Sequence, residues 1–135
     1  MPQNRSVPPP RPVIVVDAAN VVGSKPDGWW RDRKAATERL RDDLADLADR
    51  GVPEPGFTGA DHPEVILVVE GQARGVDSSP TVQVVNAPGS GDDQIVELVA
   101  DSSDRPCAVV TADRELRTRV TALGAQVLGP RSVRD

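Results

Sequence analysis

Three stretches of this chain are unbroken runs of β-branched and aliphatic residues: Val13-Ile14-Val15-Val16, Val65-Ile66-Leu67-Val68-Val69 and Ala108-Val109-Val110-Thr111. Apolar residues at every position, rather than at alternate ones, mark strands buried on both faces. Such strands belong to parallel sheets whose two faces are covered by helices. Between the runs the period changes. Ala36, Leu40, Leu44 and Leu47 recur at spacings of four, four and three within 30–49, which predicts an amphipathic helix with Asp42, Asp46 and Asp49 on its far side. Residues 92–100 align Ile95, Leu98 and Val99 on a second helical face, and 114–123 reads as a third helix. Residues 81–85 and 126–128 read as two shorter strands.

Strands alternating with helices predict a doubly wound, three-layer α/β domain. Its mainly parallel sheet has about five strands, with helices on both faces. The chain's 135 residues suit one such domain. Residues 1–12 hold five prolines, Pro2, Pro8, Pro9, Pro10 and Pro12, and read as an extended, disordered lead-in, leaving 13–135 as the domain. Residues 50–63, punctuated by Gly51, Pro53, Pro55, Gly56, Gly59 and Pro63, read as a long irregular connection. The only aromatic residues are Trp29, Trp30 and Phe57, so the core is aliphatic. Cys107, the single cysteine, opens an apolar run and reads as a small buried thiol. No segment reaches the roughly 20 apolar residues needed to span a bilayer, and none resembles a signal peptide, so a soluble cytoplasmic protein is expected.

Each long run ends at an acid. Asp17, Glu70 and Asp113 lie just beyond predicted strand ends, and Asp92-Asp93 opens the helix before the last long strand. In an open parallel sheet those ends share one edge, where ligands bind at the point of strand-order reversal. Crowded carboxylates repel one another unless protonated or bridged by a cation. Hard oxygen donors then favour Mg²⁺ or Mn²⁺. Structural roles compete at each position: Asp17 as an Asx-turn acceptor, Asp92 as a helix N-cap, Asp93 as a partner of the helix dipole, and Asp113 as the cap of the helix from Arg114. Asn20 suits the orientation of a carboxylate or phosphate. The Gly89-Ser90-Gly91 turn leads to a helix N-terminus with N–H groups for a phosphate.

Lys25, Arg31, Arg33 and Arg74 fall in loops or helix starts on the same predicted edge, as a local phosphate-binding patch or as ordinary solvated surface. Trp29 and Trp30 offer a stacking platform for a base or a hydrophobic staple at a helix start. The chain carries 16 Lys and Arg against 21 Asp and Glu, a net charge of −5 that excludes a uniformly basic nucleic-acid binder. Asp17, Glu70, Asp92, Asp93 and Asp113 alone carry five negative charges, which equals that excess.

Several phosphate chemistries are excluded on residues. Gly89-Ser90-Gly91-Asp92 lacks the Gly-Lys-Ser/Thr of a Walker A loop, and no Gly-x-Gly-x-x-Gly fingerprint occurs. Asp17-Ala18-Ala19 lacks the second aspartate of a haloacid-dehalogenase-type phosphatase. His62 is the only histidine and reads as a surface residue, which leaves no serine–histidine–aspartate triad. The acids of the 30–49 helix are similar to those of all-α nucleotide pyrophosphohydrolases, but a solvated helix face accounts for them.

The segments Val-Ile-Val-Val-Asp17-Ala-Ala-Asn20-Val-Val-Gly23, Gly91-Asp92-Asp93-Gln-Ile-Val and Val-Val-Thr111-Ala-Asp113-Arg-Glu-Leu116 together resemble the NYN group of PIN-like nucleases, including its YacP-like bacterial members. The resemblance implies a PIN-like fold and Mg²⁺- or Mn²⁺-dependent endoribonuclease activity. It implies that Asp17, Asp92, Asp93 and Asp113 are metal ligands and that Asn20 joins them in catalysis. Glu70 matches no motif of the family and enters on its strand-end position alone. The expected partner is RNA, single-stranded, with ribosome association in view, and the expected products are a 5′-phosphate and a 3′-hydroxyl. Two other readings stand beside it: a non-catalytic RNA- or ribosome-binding module, and a small-nucleotide pyrophosphohydrolase. With a single clear helix expected between the first two strands, the surface for gripping long RNA is small.

Overall fold

The computed structural model describes residues 11–23, 31–50, 63–71 and 75–133. Its elements run β1 (Val13–Asp17), α1 (Ala18–Val22), α2 (Arg33–Arg50), β2 (Glu64–Val69), β3 (Val82–Asn86), α3 (Gly91–Asp101), β4 (Cys107–Val110), α4 (Arg114–Ala122) and β5 (Gln126–Leu128). All four strand pairings are parallel, and the order across the sheet is β3-β2-β1-β4-β5. The chain winds outward from β1 to β3, then returns to the other side of β1 for β4 and β5. Strand order therefore reverses between β1 and β4, the two central strands whose carboxyl ends bound the crevice.

The continuous runs fill both faces. Ile14 and Val16 of β1, with Val65, Leu67 and Val69 of β2, pack beneath α1 and α2, where Ala36, Leu40, Leu44 and Leu47 supply the apolar stripe. Val13 and Val15 point the other way, with Ile66, Val68 and Val109, against Ile95 and Val99 of α3 and Leu116 and Val120 of α4. Truncating Leu40 or Leu44, both fully buried, to Ala is expected to cost about 2–5 kcal/mol. The three-layer α/β architecture read from the sequence is the one observed. Cys107 is buried in the second layer, and burial pushes its thiol up to about 11.

Local boundaries differ in instructive ways. The helix expected from Trp30 begins at Arg33, because Asp32 Oδ1 accepts the Ala35 N–H at 3.0 Å and so caps the first turn. The segment after Asp17 forms α1, so the described residues between β1 and β2 hold two helices rather than the single clear one expected. Its five residues are too few to show a period, and it is held by Asp17 as N-cap and by burial of Ala18, Val21 and Val22. The third strand is shifted one residue, to Val82–Asn86, and the fourth starts at Cys107. Residues 1–10 and most of the 50–63 connection, with His62, lie outside the described residues. No helix among the described residues is long and apolar enough to cross a membrane.

Candidate active site

Asp17 ends the central strand and is 7% exposed, the only buried charged side chain among the described residues. The β1–β4 register, which sets Val16 beside Val110, places Thr111 next to Asp17. The Thr111 hydroxyl donates to Asp17 Oδ2 at 2.9 Å, and the Asn20 N–H donates to Oδ1 at 3.4 Å. Asn20 also reaches across the crevice, its Oδ1 accepting the Ala112 N–H at 2.8 Å. Two polar contacts thus bridge the ends of β1 and β4 where strand order reverses. Thr111 Oγ1 in turn accepts the Asp113 N–H at 3.1 Å, fixing the turn that presents Asp113.

Asp17, Asn20, Glu70, Asp92 and Asp113 line one pocket of about 320 Å³, together with Ala19 and Ser90. Three of the four carboxylates are oriented by backbone N–H groups at helix starts. Asp17 caps α1, Asp113 Oδ1 accepts the Leu116 N–H at 3.0 Å to cap α4, and Glu70 Oε2 accepts the Gly91 N–H at the start of α3. Among the described residues, the Asp92 carboxylate accepts no hydrogen bond. The structural and functional readings of Asp17 and Asp113 are compatible: the cap on Asp113 engages Oδ1, and although both Asp17 oxygens accept a hydrogen bond, a carboxylate oxygen keeps a further lone pair. For Asp92 the capping role is corrected: Ser90 is the N-cap of α3, its Oγ accepting the Asp92 N–H at 3.1 Å.

The expected phosphate cradle at Gly89-Ser90-Gly91 is corrected as well. The Gly91 and Asp92 N–H groups are taken by Glu70 and Ser90, so the first two donors of this helix start are not open to a phosphate. Gly91 lets the Glu70 carboxylate approach this closely. A Cβ on it would stand 2.8 Å from Glu70 Oε2 and 3.3 Å from its carboxyl carbon.

Burial raises the Asp17 carboxyl to about 6; Asp92 and Glu70 add to the rise, and the hydrogen bonds from Thr111 and Asn20 oppose it. Asp92 is raised by partial burial and by its neighbours Asp113 and Glu70, with Arg119 opposing. The two shifts record a pocket of like charges with no cationic side chain among the described residues of its lining. Four hard carboxylate donors suit Mg²⁺ or Mn²⁺, and each capped carboxylate is held much as metal ligands are held by outer hydrogen bonds. Among the described residues, no three acids stand close enough to hold one ion as they lie. Closure requires a side-chain movement, and Asp92 is the least restrained of the four.

The remaining candidates fall elsewhere. Asp93 does not join the lining; it faces solvent and pairs with Arg119 at 3.0 Å, because it sits one residue round the helix from Asp92. Arg31 and Arg33 lie at the start of α2, exposed and outside the pocket. Lys25, Trp29, Trp30 and Arg74 lie outside the described residues. Thr111 is the site residue that sequence reasoning passed over. Its signal was a hydroxyl ending an otherwise apolar strand two residues before an acid. Asp42, Asp43 and Asp46 are exposed on α2, as a solvated helix face requires.

No family model matches the chain, and no curated protein matches it in sequence. Solved structures do match in fold, among them two of one protein. The W164L mutant of Rae1 (YacP) from Bacillus subtilis has a TM-score of 0.70 at 18% identity, covering 90% of this chain and 71% of that one. Rae1 (YacP) itself has a TM-score of 0.69 at 20% identity, covering 89% and 70%. The YacP-like likeness read from three short segments is thus met again in three dimensions. The chain has the PIN-like α/β fold of these YacP structures.

Proposed function

We propose that this chain is a metal-dependent endoribonuclease that hydrolyses phosphodiester bonds of single-stranded RNA at the pocket bounded by Asp17, Glu70, Asp92 and Asp113. The observation that carries the reading is the convergence of four carboxylates at the reversal point of the sheet, one of them buried and held at its ends by Thr111 and Asn20. Capping α1 gives Asp17 a structural role, but the crowding of like charges around it costs stability that a bound cation would relieve. The motif resemblance and the likeness in fold to YacP support the same class of chemistry.

Asp17, Asp92, Asp113 and Glu70 would hold Mg²⁺ or Mn²⁺. A bound divalent cation supplies polarisation of the scissile phosphate and activation of water at neutral pH. The chain's own part is positional. Thr111 keeps Asp17 ionised and aimed, Asn20 ties the two strand ends together, and the caps fix Asp113 and Glu70. Histidine is not needed as general base. RNA, with ribosome association, is the proposed partner, in the cytoplasm.

The test is incubation of the full chain with end-labelled single-stranded RNA in Mn²⁺, Mg²⁺ or EDTA. Metal-dependent internal cuts ending in 5′-phosphate and 3′-hydroxyl are expected. A non-catalytic RNA-binding module is the second reading, favoured by the spread of the acids in the pocket. It predicts binding with no products in any metal. Release of pyrophosphate from nucleoside triphosphates, with RNA left intact, would identify the pyrophosphohydrolase reading instead.

A further inference from the structure

A chain of net charge −5 with an acidic pocket must meet a polyanion through a local cationic feature. Among the described residues Arg41, Arg105 and Arg119 are engaged by Asp42, Glu64 and Asp93. Arg114 and Arg117 differ. Both are exposed and neither forms an ion pair among the described residues. They share one face of α4 with Thr118 and Thr121, at spacings of three, four and seven from Arg114. That face and Val127 of the edge strand β5 line an open groove of about 620 Å³ with no acid among the described residues of its lining. Glu115, the acid of the same turn, is not among the residues that line it.

The groove begins at the pocket. Arg114 directly follows the pocket acid Asp113, and α4 runs from there back along the sheet. Arg114 and Arg117 stand on successive turns, about 5 Å apart along the axis. Their guanidinium groups are suited to bidentate contact with phosphate oxygens, and the threonine hydroxyls can add neutral contacts.

We propose that the α4–β5 groove is the track for the substrate's sugar-phosphate backbone beside the cut, with Arg114 and Arg117 each neutralising one phosphate of single-stranded RNA. This rests on the nuclease reading and deepens it. It sends the strand out over the edge strand β5.

The test is fluorescence anisotropy of the full chain with a labelled 20-nucleotide single-stranded RNA in EDTA, across a series of KCl concentrations. Arg114→Gln and Arg117→Gln are compared with Arg39→Gln, which removes the same charge from an exposed position on α2, across the sheet. Each groove variant is expected to reduce the slope of log K against log salt by about 0.7, and the pair by about 1.4. Affinity of the pair at low salt is expected to fall roughly tenfold, while Arg39→Gln keeps the wild-type slope. Groove variants with the wild-type slope, beside a wild type that still cleaves RNA in Mn²⁺, overturn the groove and leave the nuclease reading standing. A wild type that neither binds nor cleaves RNA overturns both.

Discussion

Thr111 and Asp17, 94 positions apart in sequence, meet at 2.9 Å where the two central strands end. The hydroxyl donates to a carboxylate that is otherwise pushed toward neutrality by burial. Thr111→Val removes that donor while keeping the shape. Asp17 is then expected to titrate above its present value of about 6, and the acid limb of the activity profile to move to higher pH with it. Stability at pH 8 is expected to fall by about 1–3 kcal/mol. Thr111→Ser restores both. Carboxyl chemical shifts against pH, read beside the pH–rate profile, provide the check.

Asp17 also sets how stability depends on pH in the metal-free protein. Its folded value, about 6, lies above the ordinary 3.8, so between these values the folded state binds more protons than the unfolded chain. Stability is expected to fall as pH rises from about 4 through 6 and then to level off, by at most about 3 kcal/mol from this group. Asp17→Asn stays neutral and can still cap α1. It is expected to be more stable than wild type at pH 8, to lose that advantage near pH 4, and to lose at least about a hundredfold in RNA cleavage. Denaturant midpoints at several pH values measure the first two, and a less stable variant at pH 8 contradicts the reading.

Gly91→Ala inserts a methyl group against Glu70. Helix propensity alone would favour alanine by about 1 kcal/mol. The expected outcome is the reverse, a loss of stability, because the Glu70–Gly91 contact is displaced. Combining it with Glu70→Ala should recover the propensity gain, giving a coupling of about 1 kcal/mol or more in a double-mutant cycle.

The sheet was legible because fully buried parallel strands leave an unmistakable pattern, apolar at every position from Val13 to Val16 and from Val65 to Val69. Parallel strands then place Asp17, Glu70 and Asp113 on one edge, so most of the pocket followed from topology. What escaped notice was set by tertiary contact. The short α1 exists through one cap and three buried side chains, and Thr111 is an ordinary strand residue until the Asp17–Thr111 register is known. Asp92 and Asp93 are indistinguishable as neighbours in sequence. A helix turns 100° between them, which leaves one in the pocket and the other with Arg119.

That rotation yields a contrast between the two acids. Asp92→Asn is expected to lose at least about a hundredfold in metal-dependent cleavage, because a ligand is removed at the site of the reacting phosphate. Asp93→Asn is expected to change cleavage by only a few-fold. Its exposed pair with Arg119 contributes at most about 1 kcal/mol to stability. Equal losses in both variants would show that the helix start rearranges when metal and RNA bind.

The central claim is that the four acids form one cation site, and Mn²⁺-soaked crystals measured at the manganese absorption edge test it most directly. The account predicts anomalous density within the pocket, with oxygens of Asp17, Glu70, Asp92 and Asp113 as ligands and Asp92 swung inward from its present position. Density confined to other surfaces, with the pocket acids unmoved in saturating Mn²⁺, would contradict it.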